Sequence, residues 1–275
     1  MLSAAHYRMP RSTTKRLAMS ALLVGIAGGW ILVARARRRY NGPSEDVHGP
    51  KALAEVEAFL FDLDGTLIDS NAAHADAWAQ ALREHGIACD AADVRPMVGV
   101  GGDKLLPQLA HVTEDSSEGR AIAARKQVLF NERLPDLAPM PGTRAFLAYL
   151  HDLKKEIVVA TSADDRDMRA LLRQAGVADL VPLHTSKDDA SRSKPDPDIV
   201  QAAVTRAGAS PSRTLMIGDT PYDVEAARRA GVNSIALRCG GHWSDADLSG
   251  AVAILDNPAA LLTYWQQAAA TGHAR

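Results

Sequence analysis

Hydrophobic and polar positions divide the 275 residues into three regimes. Near the start, Leu17 to Ala34 runs through 18 positions without a charge, including Leu22, Leu23, Val24, Ile26, Trp30, Ile31, Leu32 and Val33. Further on the apolar runs are short and end abruptly: Ala58–Phe61, Ile157–Ala160 and Leu215–Ile217 each stop at polar residues or glycine. An unbroken run of this length suits a strand buried on both faces of a parallel sheet. Between the first two runs the period changes. Ala77, Trp78, Ala81 and Leu82 recur at helical spacing within Asn71–His85, and similar periodicity marks Lys104–Leu109 and Ala121–Leu134, with no strand-like alternation. After Pro141 apolar strands alternate with helical patterns, among them a helix over 164–175. The pattern predicts an α/β fold, a doubly wound parallel sheet, carrying a small helical insertion and an N-terminal apolar helix.

Chemistry collects where the strands end. Phe61-Asp62-Leu63-Asp64-Gly65-Thr66 places two carboxylates after the first strand and turns the chain at Gly65. Open parallel sheets bind ligands at the carboxyl ends of their strands, so Asp62 and Asp64 face the expected active edge. Paired acids on so short a segment do not both stay charged without a cation or a proton between them. Taken alone, an Asp-x-Asp after a strand is equally a helix cap or a loop acid. Three further stations supply context. Thr161 and Ser162 end the second strand with hydroxyls, suited to a phosphate oxygen or to capping the next helix. Ser193-Lys194-Pro195 holds a lysine in a proline-stiffened loop, a positioned point charge. Gly218-Asp219-Thr220-Pro221-Tyr222-Asp223 adds two acids four apart after the third strand. Hard oxygen donors from Asp62, Asp219 and Asp223 suit Mg²⁺.

These four stations, in this order, resemble the four motifs of the haloacid-dehalogenase-like hydrolase superfamily, and the likeness spans approximately Val56 to Leu262. The resemblance implies Asp62 as a nucleophile forming an aspartyl-phosphate, and Asp64 as the acid that protonates the leaving alcohol and then activates water. It implies Thr161, with Ser162 adjacent, on the phosphoryl group, and Lys194 neutralising its charge. Asp62, the main-chain carbonyl of Asp64, Asp219 and Asp223 would surround Mg²⁺, with the shell to which Asp223 belongs left open. An acid at Asp64 argues against the dehalogenases of the superfamily, which lack one there.

The helical segment resembles the small cap of phosphoglycolate-phosphatase-like and β-phosphoglucomutase-like members, which closes over the site and excludes water. The implied division is a core of residues 56–71 plus 141–265, a cap of 72–140 and a tail of 266–275. In Val98-Gly99-Val100-Gly101-Gly102-Asp103-Lys104, Gly102 takes a position that is arginine in β-phosphoglucomutase, leaving Asp103 and Lys104 as candidate substrate readers. His74 matches a cap-hinge histidine of the mutase and equally suits a surface helical histidine. Lys104 is out of register for the Schiff-base lysine of a phosphonoacetaldehyde-type hydrolase. The expected activity is a phosphatase acting on a small phosphorylated metabolite; a phosphomutase is the alternative, and a non-catalytic membrane-tethered binding module a further one.

Charge separates the arm from the rest. Residues 1–50 carry eight Lys/Arg and two acids, whereas 51–275 carry 23 and 31. Basic residues flank the apolar stretch, with Arg35, Arg37, Arg38 and Arg39 immediately after it. At 1.5 Å per residue, residues 17–34 fall just short of the ~30 Å hydrocarbon layer. Three readings compete: a single-pass anchor leaving the catalytic domain cytoplasmic at the inner membrane, a secretory signal, and an upstream extension of a soluble cytoplasmic enzyme. The anchor is favoured, because arginines directly after Ala34-Arg35-Ala36 oppose translocation. Two cysteines, Cys89 and Cys239, are too few for a disulfide framework. No zinc-type cluster, P-loop or dinucleotide glycine motif is present, and neither a nucleic-acid nor a protein partner is expected.

Overall fold

The computed structural model describes residues 55–272. Six strands form one parallel sheet: β1 (Ala58–Phe61), β2 (Glu156–Ala160), β3 (Leu183–Thr185), β4 (Thr214–Gly218), β5 (Asn233–Leu237) and β6 (Ala253–Leu255). Their order is β3-β2-β1-β4-β5-β6, with Phe61 registered against Val159 on one side and Ile217 on the other. The chain steps from β1 through β2 to β3, then returns to the far side of β1 for β4. The strand order therefore reverses between β1 and β4, the point at which an open α/β sheet leaves a crevice beyond its carboxyl ends. Asp62, Thr161 and Asp219 directly follow the three adjacent central strands, so topology alone delivers them to that crevice.

The helices are α1 (Asn71–Glu84), α2 (Ala91–Val94), α3 (Gly102–Leu109), α4 (Ser117–Arg133), α5 (Thr143–Asp152), α6 (Asp165–Gln174), α7 (Asp198–Ala207), α8 (Pro221–Arg229) and α9 (Pro258–Gly272). Strand side chains alternate between faces and so build two cores. On one face Phe59 and Phe61 join Val159, Ile217, Phe146 of α5 and Trp265 of α9. Phe59 meets the Trp265 ring edge-on at 4.8 Å, a geometry that adds to plain burial. On the other face Leu60, Val158 and Met216 meet Val200 and Ala203 of α7 and Ala226 and Ala227 of α8. Burial on both sides explains the absence of polar alternation in these strands. α9 continues through Gly272, past residue 265 where the expected core ends.

Residues 71–134 form the helical insertion. α1 packs on α4, with Ala77, Ala81, Leu82, Ile122, Leu129 and Phe130 buried, while Trp78 of the expected stripe is only part-buried. One local expectation is corrected. Neither Thr161 nor Ser162 caps α6; Asp164 does, accepting the backbone N–H of Asp167 at 2.8 Å, while the Thr161 hydroxyl accepts from Ala163 N at 3.1 Å. Cys89 and Cys239 are both free thiols. The apolar stretch Leu17–Ala34 lies outside the described residues, and among the described residues no helix is long and apolar enough to cross a membrane.

Candidate active site

Four charged side chains converge beyond β1 and β4 in near-complete burial. Lys194 is 0% exposed and its Nζ donates to Asp62 Oδ1 at 2.5 Å and to Asp223 Oδ1 at 2.7 Å. The other Asp223 oxygen, Oδ2, accepts Thr220 Oγ1 at 2.6 Å and Thr220 N at 3.1 Å, in the capping box that starts α8. Asp219 is held from the opposite side, by Thr66 Oγ1 at 3.0 Å and Asn71 Nδ2 at 2.9 Å. Asp62 Oδ2 is buried with no hydrogen-bond partner among the described residues. Gly65 makes this crowding feasible: it sits at φ +78°, and a Cβ there would collide with Asn71 Nδ2 and Asp219 Oδ2.

Three buried acids and one ammonium leave the cluster short of positive charge. Burial, reinforced by Asp223 and Asp219 and only partly opposed by Lys194, pushes the Asp62 carboxyl well above its usual range. Burial and Asp223 likewise push Asp219 up to about 7. Burial works against the charge on Lys194, but Asp223 and Asp62 outweigh it and hold the ammonium above its ordinary range. Carboxylate oxygens of Asp62, Asp219 and Asp223 lie within 4.8 Å of one another. A hard divalent cation among them would supply the missing charge and use the orphaned Asp62 oxygen, so the donor set fits Mg²⁺.

Asp64 has a different environment two residues on. Its Oδ1 accepts Ser70 Oγ at 2.5 Å and contacts His74 Nε2 at 2.9 Å. An ionised carboxylate only accepts, so Nε2 carries the proton. Burial alone would raise Asp64, but His74 and Ser70 overcome it and hold the carboxyl down at about 2. Burial keeps His74 below its usual range, with its ring stacked on Phe130 at 3.9 Å. Burial thus raises Asp62 while His74 and Ser70 hold Asp64 down, so the two neighbouring carboxyls differ in their affinity for protons. His74 lies part-buried beside Asp64 in the cavity lining and not on the helix surface.

A cavity of about 360 Å³ opens from Asp62 and Asp64 towards the insertion, lined also by His74, Thr161, Ser162 and the loop 97–102. Neither expected reader, Asp103 nor Lys104, lines it, although Gly102 beside them does. Lys104 turns the other way, pairing with Asp196 Oδ2 at 2.7 Å, and Asp103 Oδ2 accepts Ser193 N at 3.3 Å. Both are drawn to the loop that carries Lys194, whose backbone and acids offer nearer partners than the cavity does. Sequence reasoning missed Thr66, Ser70 and Asn71, which orient the acids, and Lys126, Asp164 and Asp167, which line the cavity. Only the polar run Asp69-Ser70-Asn71 after the motif hinted at the first group; nothing in the spacing marked Lys126.

Comparison with known proteins adds a lineage to this geometry. A family profile described as haloacid dehalogenase-like hydrolase matches residues 56–231. A phosphoglycolate phosphatase of Rhodospirillum rubrum is 31% identical over 214 residues, which cover 74% of this chain and 89% of that protein. An N-acetylmuramic acid 6-phosphate phosphatase of Pseudomonas aeruginosa is 31% identical over 218 residues, covering 75% and 93%. The crystal structure of a hydrolase from Pseudomonas syringae superposes with a TM-score of 0.72 at 26% identity, covering 77% of this chain and 98% of that one.

Proposed function

The chain belongs to the haloacid dehalogenase-like hydrolases, and from that premise we propose that it is a Mg²⁺-dependent phosphatase of small phosphorylated metabolites, working through an aspartyl-phosphate on Asp62. The observation that carries the reading is the Asp62 carboxylate: one oxygen is fixed by Lys194 and the other is buried without a partner at the strand-order reversal. The unpartnered oxygen would meet the cation, and the oxygen beside Lys194 would attack the phosphoryl group, in a carboxylate that lines the cavity. Asp62, the Asp64 carbonyl and Asp219 would hold Mg²⁺. Asp223 acts mainly through Lys194, whose ammonium it binds directly. The cation supplies charge neutralisation for the phosphoryl group, the main demand of this transfer.

The remaining roles fall to side chains of the chain itself. Lys194 offsets the charge on Asp62 and the phosphoryl oxygens. The Thr161 hydroxyl, at the end of β2, contacts the transferring group. Asp64 passes a proton to the leaving alcohol and takes one from the water that cleaves the acyl-phosphate. In the described conformation Asp64 is held ionised by Ser70 and His74, which suits the second of these steps; the first requires it to leave His74 and take up a proton. Residues 72–140 act as a cap. Ser162 Oγ to Gly99 O (3.4 Å), Tyr222 Oη to Pro96 O (2.6 Å) and the Lys104–Asp196 pair tie the insertion to the core around the cavity. Asp62→Asn tests the mechanism: a folded variant should release no phosphate above background, and near-normal turnover would end it.

The contact between His74 and Asp64 supports a second reading, a phosphomutase, which shares this core but must keep water from the intermediate. Isomerised sugar phosphate as the main product, in place of inorganic phosphate, would establish it. For residues 17–34 we retain a membrane anchor with the catalytic unit on the cytoplasmic side, resting on the uncharged run and its basic flanks. The full-length chain should then pellet with membranes through a high-salt wash; recovery in the soluble fraction would remove the anchor.

A further inference from the structure

The cavity lining carries further charges that the mechanism above leaves unused. Lys126 of α4 is buried, and its Nζ sits 4.8 Å from the Phe130 ring centre and 5.6 Å from that of Trp78. It forms no ion pair within 4 Å among the described residues. The charges acting on it are acids at greater distance, Asp167 first, then Asp64 and Asp164, with Lys187 opposing. Three ammonium protons in a buried site need oxygen partners that the two aromatic faces do not provide. Asp167, also buried, accepts Gln127 Nε2 on Oδ1 at 2.7 Å, while Oδ2 has no hydrogen bond among the described residues. Two other charged side chains of the lining, Lys187 and Glu114, pair with each other.

A lone buried lysine in a pocket commonly suggests a hook for a second anion. The count of charges around it argues otherwise. Asp164 and Asp167 outnumber Lys126 there, and Asp64 lines the same cavity. A carboxylate entering here would leave water to meet two carboxylates for one ammonium. A hydroxyl-bearing carbon chain meets no such penalty: one hydroxyl donates to Asp167 while another accepts from Lys126, and its C–H face lies on Trp78. Burial, with Asp164 beside it, pushes the Asp167 carboxyl above its usual range. A donated hydroxyl offsets that strain, whereas a second carboxylate adds to it.

Resting on the phosphatase reading above, we propose that Lys126 and Asp167 form a donor–acceptor pair that binds the hydroxyls of a polyol or sugar monophosphate and rejects substrates with a second anionic group at the far end. The pair sets specificity and takes no part in the phosphoryl step. Cavity size agrees, since about 360 Å³ lies within the usual roughly 300–1,000 Å³ of small-ligand sites.

The test is a matched pair of substrates. Glycerol 3-phosphate and 3-phosphoglycerate differ only in carrying a hydroxymethyl or a carboxylate at the distal carbon, and both are measured with Mg²⁺ on the full chain beside para-nitrophenyl phosphate. The wild type should favour glycerol 3-phosphate at least tenfold in kcat/KM. Asp167→Asn should cut that preference at least fivefold, mainly by admitting 3-phosphoglycerate. Lys126→Met should lower kcat/KM for glycerol 3-phosphate at least tenfold more than for para-nitrophenyl phosphate. Each readout is a ratio within one preparation, so loss of folded enzyme cancels. A preference for 3-phosphoglycerate, or ratios unmoved by both substitutions, overturns the assignment while leaving the phosphatase intact. If no phosphate ester is hydrolysed, the phosphatase reading falls and takes this one with it.

Discussion

Replacing Lys194 by methionine removes the one ammonium that, among the described residues, touches the acid cluster, while keeping most of the side-chain volume. The loss is set by what remains. Asp62 and Asp223 each lose a direct ion pair, at 2.5 and 2.7 Å, and both stay buried beside Asp219. Breaking a buried pair by deleting one partner costs roughly 3–5 kcal/mol, because the surviving charge is left uncompensated. For a unit of about this size each kcal/mol lowers Tm by roughly 2–4 °C, so a fall of about 6–20 °C is expected in chelator. Part should return with Mg²⁺, whose charge takes over some of the neutralisation, and part at acid pH, where the carboxyls protonate. Catalysis should suffer separately. Removing one preorganised stabilising group typically costs about 10²–10³ in kcat. Thermal melts in chelator and in Mg²⁺, with para-nitrophenyl phosphate turnover on the same preparations, read both quantities. A variant as stable as wild type in chelator, or one keeping over a tenth of its kcat, would refute the claim that Lys194 balances this cluster.

The metal should show itself through pH. Asp219 titrates at about 7 in the folded chain against an ordinary 3.8, and a carboxyl raised on folding stabilises at low pH and loses that contribution as pH climbs through its folded value. In chelator, stability should therefore decline between about pH 4 and 7, by roughly 4 kcal/mol for three pH units at ~1.4 kcal/mol each; Mg²⁺ should abolish the decline, and parallel curves with and without it would contradict the site. Activity should vanish in chelator, return with Mg²⁺ and be inhibited by excess Ca²⁺, whose looser coordination misplaces the carboxylate. Lys104→Ala should reduce kcat/KM for glycerol 3-phosphate and para-nitrophenyl phosphate alike, because Lys104 braces Asp196 and does not line the cavity. A loss confined to the metabolite would restore Lys104 as a substrate reader.

What the chain determined locally was legible in advance. Ala58–Phe61, Ile157–Ala160 and Leu215–Ile217 are apolar without alternation because both their faces are covered, and the acids and hydroxyls that follow mark the edge where that cover ends. Asp62, Asp64, Thr161, Lys194 and Asp219 could be named because each sits at a fixed offset from a strand or a stiff loop, where backbone geometry alone decides their placement. Residues whose position depends on helix packing were another matter. Lys126 reads as an ordinary solvated lysine in Ala124-Arg125-Lys126-Gln127, and only the docking of α4 on α1 buries it beside Trp78. Lys104 presents the opposite case: it stood as a candidate substrate reader, but α3 sets it against the Ser193–Asp196 loop, where Asp196 captures it. A period of 3.6 residues tells which side chains share a helix face. Which face meets the cavity is a property of tertiary packing, and it was there that the structure alone decided.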